Sequence, residues 1–136
     1  MQDLSSPIKV VLVEDNEAQR TLLADFLDEA GFEVVSRVGT IKAATLAILT
    51  HVPDVAVIDN HLPDGRGVDL CRTVSNAGLA VALILHTGSI SASEEHEARK
   101  VGAADVVLKS IRNRELTEAI RRNGFRSQPQ RVESLS

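Results

Sequence analysis

The stretch Val55–Gly67, VAVIDNHLPDGRG, decides the fold. Four apolar residues, Val55 to Ile58, run without a break into Asp59, and Pro63, Gly65 and Gly67 follow in a loop. An apolar run this short, closed by turn residues, reads as a strand buried on both faces of a sheet. Asp59 then stands at the carboxyl end of a central strand. In open parallel sheets that edge is where ligands gather.

Working outward, the same alternation recurs. Ile8–Val13 reads as a first strand, with Glu14, Asp15 and Asn16 at its end. Asn16 is placed to cap a helix. Ala18, Leu22, Leu23, Phe26, Leu27 and Ala30 repeat at helical spacing, and Gly31 closes the segment. Glu33–Val38 reads as the second strand. Thr40 caps a helix to about His51, with Ile41, Ala44 and Ile48 inward, and Pro53 ends that connection. After the Asp59 loop, Val68–Ala77 is expected as the third helix and Leu79–His86 as the fourth strand, followed by Thr87, Gly88 and Ser89. Ser91–Val101 is polar and weakly amphipathic. Gly102 and Ala103 turn the chain into a short strand, Asp105–Leu108, ending at Lys109, and Asn113 caps a last helix to about Asn123. Residues 1–7 are expected as a loose arm, 8–123 as one domain, and 124–136 as a flexible tail. Strands alternating with helices through short connections indicate a parallel sheet covered on both faces.

Composition narrows the function classes. A chain of 136 residues, 43% hydrophobic, builds one full core. A net charge of −4 without a basic run argues against nucleic-acid binding. Cys71 is the only cysteine, which leaves no internal disulfide and no thiolate metal cluster. The first residues lack a signal-peptide pattern, and the longest apolar run, Leu79–Leu85, is too short to span a membrane. A cytoplasmic protein is expected. Trp and Tyr are absent, so base or sugar stacking is disfavoured.

The strand ends bring chemistry together. They carry Glu14 and Asp15, Asp59, Thr87 and Lys109. With strand order 2-1-3-4-5, strands one and three are neighbours and their carboxylates converge. Such a cluster stays ionised only with a cation, and a hard divalent ion such as Mg²⁺ suits oxygen ligands. The cation, the Lys109 ammonium and the Thr87 hydroxyl are the groups that neutralise charge in phosphoryl transfer. A carboxylate can be the covalent acceptor.

VVLVEDN, VAVIDNHLPDGRGVDL, LILHTGS and GAADVVLK, in this order and followed by a helix, resemble the receiver domains of bacterial two-component response regulators over about Ile8–Asn123. The resemblance implies an α/β fold, a flavodoxin-like doubly wound sheet of five parallel strands in order 2-1-3-4-5 with five helices. It implies that Asp59 is the phosphoacceptor and that Thr87 and Lys109 contact the phosphoryl group. It assigns Mg²⁺ to Glu14, Asp15 and Asp59, with the backbone carbonyl of Asn60 as a further ligand. A sensor histidine kinase or histidine phosphotransfer protein is the implied donor, and an unidentified protein the target, with no nucleic acid and no membrane. No DNA-binding segment is visible, so direct transcription control is not expected, although the tail reads like the start of a linker. The chain is expected to be a signalling module, catalysing only its own phosphotransfer and slow dephosphorylation.

Two positions depart from the family pattern. Ser110 stands where members carry a proline after a cis peptide, and a cis bond before a non-proline costs about 3 kcal/mol, so a trans bond and a shifted loop are expected. Val106 stands where members carry Tyr or Phe.

Two other classes use related parts. A haloacid-dehalogenase-type phosphatase places a second aspartate two residues after its nucleophile, where this chain has His61. A flavodoxin-type cofactor binder needs a phosphate loop after the first strand, where this chain has an acidic pair. His61, His86 and His96 match no metal-ligand spacing and are expected at the surface or at strand ends. Cys71 is expected in the core, and Gly65 and Gly67 in a turn.

Overall fold

The alternation of short apolar runs with amphipathic stretches becomes a parallel sheet wrapped by helices in the computed structural model, which describes residues 6–127. In chain order the elements are β1 (Lys9–Val13), α1 (Glu17–Glu29), β2 (Glu33–Val38), α2 (Ile41–His51), β3 (Val55–Ile58), β4 (His61–Leu62), β5 (Gly65–Arg66), α3 (Gly67–Asn76), β6 (Ala82–Thr87), α4 (Ala92–Lys100), β7 (Ala103–Leu108) and α5 (Arg114–Ser127). The main sheet has the order β2-β1-β3-β6-β7, with every neighbouring pair parallel. Set aside the small β4–β5 hairpin, and this is the expected order 2-1-3-4-5.

Each inner strand feeds two cores, because successive side chains point to opposite faces. Val11, Val13, Ala56, Ile58, Leu83 and Leu85 pack with Ala44, Ile48, Leu70 and Ala98 of α2, α3 and α4. Val10, Leu12, Val55, Val57, Ile84 and Val107 pack with Leu23, Leu27, Leu116 and Ile120 of α1 and α5. Burial on both sides is why these strands read as unbroken apolar runs. It also locks register, since a one-residue slip would exchange the two faces.

Several helix ends follow the sequence expectations. The Asn16 side chain accepts from Gln19 N–H, and the Thr40 side chain from Ala43 N–H. Others shift. The buried face of α1 is Leu23, Ala24 and Leu27, while Ala18 and Leu22 face outward. The third helix begins at Gly67 and the last strand at Ala103. The last helix, expected to end near Asn123, continues to Ser127. Buried Gly124 allows this, because a Cβ there would come within 2.6 Å of Ile8 Cγ2. The remainder of the expected arm and tail, residues 1–5 and 128–136, lies outside the described residues.

The loop after Asp59, expected as a simple turn, closes into the β4–β5 hairpin. Gly67 N–H donates to the Asn60 carbonyl at 2.9 Å, and Val68 N–H donates to Asn60 Oδ1 at 3.2 Å. Asn60 thus satisfies the start of α3, whose own cap residue, Arg66, makes no side-chain capping bond. The Asp64 carboxylate accepts from Ile41 N–H at 2.8 Å and Lys42 N–H at 3.1 Å, which fastens the loop to the start of α2. Gly67 has no room for a side chain: a Cβ would sit 2.5 Å from the Asp59 carbonyl oxygen and 2.9 Å from Leu85 Cδ1. Replacing Gly67 with alanine is therefore expected to destabilise the fold by about 1–3 kcal/mol in urea unfolding. Gly88→Ala, whose Cβ would meet nothing within 4 Å, serves as the control and is expected to change stability by less than about 0.5 kcal/mol.

Candidate functional site

Register places the site residues. Val13 pairs with Ile58, and Ile58 with Leu85. One residue further on, Glu14, Asp59 and His86 stand side by side at the carboxyl edge, pointing to the face covered by α1 and α5. The backbone confirms the row: Asp59 N–H donates to the Val13 carbonyl at 3.0 Å, and Glu14 N–H to the Val38 carbonyl at 2.9 Å. Lys109 follows β7, its N–H bonded to the Thr87 carbonyl at 2.9 Å.

From β7 the Lys109 side chain reaches across the sheet. Its Nζ lies 2.7 Å from Asp59 Oδ2 and 2.8 Å from Glu14 Oε1, with Gln19 Oε1 at 3.5 Å. The Glu14 and Asp59 side chains are almost fully buried, while Asp15 is exposed. Glu14 is further tied down by Asn16 N–H on Oε2 at 3.1 Å, and its carbonyl accepts from Arg20 Nη1 at 2.7 Å. Asp59 Oδ1 accepts from His61 N–H at 3.0 Å.

The expected acidic group is real. Carboxylate oxygens of Glu14, Asp15 and Asp59 lie within 4.8 Å of one another. One ammonium cannot balance three carboxylates, and the residual charge equals that of one divalent cation. Oxygen donors in this number suit a hard ion that keeps part of its water shell, so the residues present fit Mg²⁺.

The electrostatics follow from burial and the lysine. Burial raises the Glu14 carboxyl above its ordinary value, only partly offset by the Lys109 hydrogen bond and Asn16 N–H. Burial alone would lower the Lys109 ammonium, but its bonds to Asp59 and Glu14 outweigh this and hold it above its ordinary value. Lys109 is thus a firmly charged group at neutral pH.

Two further expected members have hydrogen-bond partners of their own. Thr87 is fully buried, and its hydroxyl donates to the Ser89 carbonyl at 3.2 Å. The Asn60 carbonyl, expected as a metal ligand, accepts one bond from Gly67 N–H, which leaves its second lone pair open. Among the departures from the family pattern, Ser110 follows a trans bond, and its Oγ accepts Asn113 N–H at 3.2 Å. Asn113 itself precedes α5 at φ 54, its carbonyl accepting from Thr117 N–H and Oγ1. Val106 is half-buried against the core on the α2–α3–α4 side. Cys71 is buried as expected, its thiol pushed up to about 12 by burial.

His86 was expected, with His61 and His96, at the surface or at a strand end, and it lies near the end of β6. His61 and His96 are exposed, but His86 is only 4% exposed, and its Nε2 has no hydrogen-bond partner. It lines a cavity of about 290 Å³ beside Glu14, Gln19, Lys109, Ser110 and Asn113. The available signal was its position one residue before Thr87, which alternation sends to the Lys109 face.

Comparison with known proteins agrees with this geometry. The family model for the response regulator receiver domain matches residues 10–121. The chain is 34% identical over 115 residues to the DNA-binding transcriptional activator DevR/DosR of Mycobacterium tuberculosis, covering 84% of this chain and 53% of that protein. The signal receiver domain of NarL from Mycobacterium tuberculosis superposes with a TM-score of 0.82 at 24% identity, covering 88% of this chain and 98% of that one. The BeF3-activated N-terminal receiver domain of Klebsiella pneumoniae RstA superposes at 0.77 with 28% identity, covering 85% and 97%. The chain belongs to the response regulator receiver domain family, the signalling modules of two-component phosphorelays. It spans little more than half the length of the first curated relatives it matches, 53% and 58%.

The buried imidazole makes stability sensitive to acid. Burial and then the Lys109 charge lower the His86 pKa from 6.5 to about 4, with Asp59 opposing. Between those values the unfolded chain binds the extra proton, so stability is full above pH 6.5 and falls as pH drops towards 4. The loss attributable to His86 is about 3 kcal/mol across that window. Asp59, Glu14 and Lys109 face the same space, so the check is a difference: urea unfolding of His86→Leu should lose markedly less stability than wild type between pH 7 and pH 4.5.

Proposed function

We propose that Asp59 accepts a phosphoryl group from the phosphohistidine of a sensor histidine kinase or a histidine phosphotransfer protein, and that the chain then presents a changed surface to a downstream protein. The observation that carries this is the Asp59 carboxylate held by Lys109 at 2.7 Å among three converging carboxylates. An Asp59 oxygen attacks phosphorus, a P–O bond forms, the P–N bond breaks, and its electron pair leaves with the donor imidazole. Mg²⁺ held by Glu14, Asp15 and Asp59 would supply positive charge to the phosphoryl oxygens. The Asn60 carbonyl, with one lone pair on Gly67 N–H, would keep the other for the cation. Lys109 releases Asp59 Oδ2 and turns its ammonium to the new phosphoryl oxygens. Thr87 contributes once its hydroxyl leaves the Ser89 carbonyl. The acyl phosphate is lost slowly to water, without a separate substrate.

The acidic balance of the chain fits a protein partner better than nucleic acid. No described helix is long and apolar enough to cross a membrane, and we assign the chain to the cytoplasm, where such donors act. The test is chemical. With a small phosphodonor and Mg²⁺, borohydride trapping and mass spectrometry should place the modification on Asp59. Asp59→Asn should abolish it, and Asp15→Asn should slow it and weaken saturable Mg²⁺ binding in calorimetry. Wild-type labelling in Asp59→Asn contradicts the assignment.

The output surface is proposed at Ile90–Val101. Of α4, only Ala98 is buried, so little apolar contact holds the helix. The Thr87–Ser89 bond ties the preceding loop to β6, and moving the hydroxyl to a phosphoryl group breaks that tie. Val106 is too small to fill the space vacated, as an aromatic would, so the change falls on α4. Hydrogen exchange with and without beryllofluoride should show its largest change in residues 90–101, with α2 and α3 little altered.

A further inference from the structure

We propose that His86 is a positioning residue for Lys109, its Nε2 taking an ammonium hydrogen of Lys109 once that side chain leaves Asp59 for the phosphoryl group; this rests on Asp59 being the phosphoacceptor. The sheet supplies the geometry. Lys109 projects from the end of β7 and its Nζ bonds to groups at the ends of β3 and β1, so its stem must cross β6. His86 pairs with Val107 in the β6–β7 register. Lys109 lies two residues beyond Val107, so its side chain leaves on the same face. The imidazole stands at the β6 position in the row of Glu14 and Asp59, under the path of the lysine, and both His86 and Lys109 line one cavity.

Hydrogen-bond accounting supplies the need. An ammonium has three N–H donors. Two are held here by Asp59 and Glu14, and the third faces Gln19 at 3.5 Å. When Asp59 carries phosphate and the carboxylates turn to a cation, the lysine loses these partners. One donor goes to the phosphoryl group, and a second needs an acceptor in a half-buried place. His86 Nε2 is buried and unpartnered. An orphaned buried polar atom is costly to keep without a use. Its depressed basicity suits the role, because a protonated imidazole would repel the ammonium instead.

Phosphorylation rates with phosphoramidate and Mg²⁺ should be measured across donor concentrations for wild type, His86→Leu and His86→Gln, together with the ¹⁵N shift of His86 Nε2 before and after beryllofluoride. Leucine keeps the volume and removes the acceptor, and should lower the maximal rate about tenfold with half-saturation unchanged. Glutamine keeps a neutral acceptor and should restore most of the rate. A packing role gives the reverse order, with leucine matching or exceeding histidine. The Nε2 resonance should move to the hydrogen-bonded range on beryllofluoride binding. Equal rates in wild type and leucine, or an unmoved Nε2, overturn this inference alone. Absence of Asp59 labelling in all three chains, wild type included, overturns the phosphoacceptor proposal and this inference with it.

Discussion

One ammonium held between two buried carboxylates governs this structure. Lys109 reaches Asp59 and Glu14 at hydrogen-bond distance only because β7, β6, β3 and β1 lie in that order and share one register at their carboxyl ends. Two negative charges at adjacent strand ends would not tolerate burial without it. The lysine is long enough to cross one strand and no more elaborate device is needed. The compensation is incomplete, because exposed Asp15 joins the same cluster, and that deficit is what makes the edge receptive to a cation.

The surroundings divide into a fixed side and a loosely held side. Asn60 and Gly67 close the loop on the start of α3, and Asp64 fastens it to α2. These contacts keep the Asp59 carboxylate in place whatever binds there. On the other flank, Thr87 is joined to its own loop by one hydroxyl bond, and α4 buries little. Salt links from Glu97 to Arg66 and Arg72 connect α4 to β5 and α3, but they are solvent-exposed pairs of small worth. A group added at Asp59 therefore meets resistance below and compliance beside it. Under the proposed function, that asymmetry would turn a local charge into a change of surface.

Period and punctuation made most of the fold legible. Unbroken apolar runs at Val10–Val13, Val55–Ile58 and Leu83–Leu85 marked strands buried on both faces, and Asn16, Thr40 and Gly31 marked helix ends. The strand ends in turn carried Glu14, Asp15, Asp59, Thr87 and Lys109. Boundaries were less legible. Leu22 looked inward by spacing yet is 71% exposed, because Ala24 fits closer to the sheet and rotates the buried face of α1. Gly124 was expected as the first residue of the tail, but it is the small residue that lets α5 pass Ile8.

By itself, then, the sequence determined which segments are strands and which chemical groups end them, since backbone alternation and local turn chemistry act over a few residues. Only the tertiary structure decided what those groups do to one another. Lys109 and Glu14 are 95 residues apart, and no local pattern states that they meet at 2.8 Å. Nor could spacing show that the Thr87 hydroxyl is turned to the Ser89 carbonyl, that the Asn60 carbonyl serves Gly67, or that the His86 imidazole is buried without a partner. Those facts depend on cross-strand register and on the packing of α1 and α5 over the sheet edge, where burial changes both proton affinity and the cost of an unmade hydrogen bond.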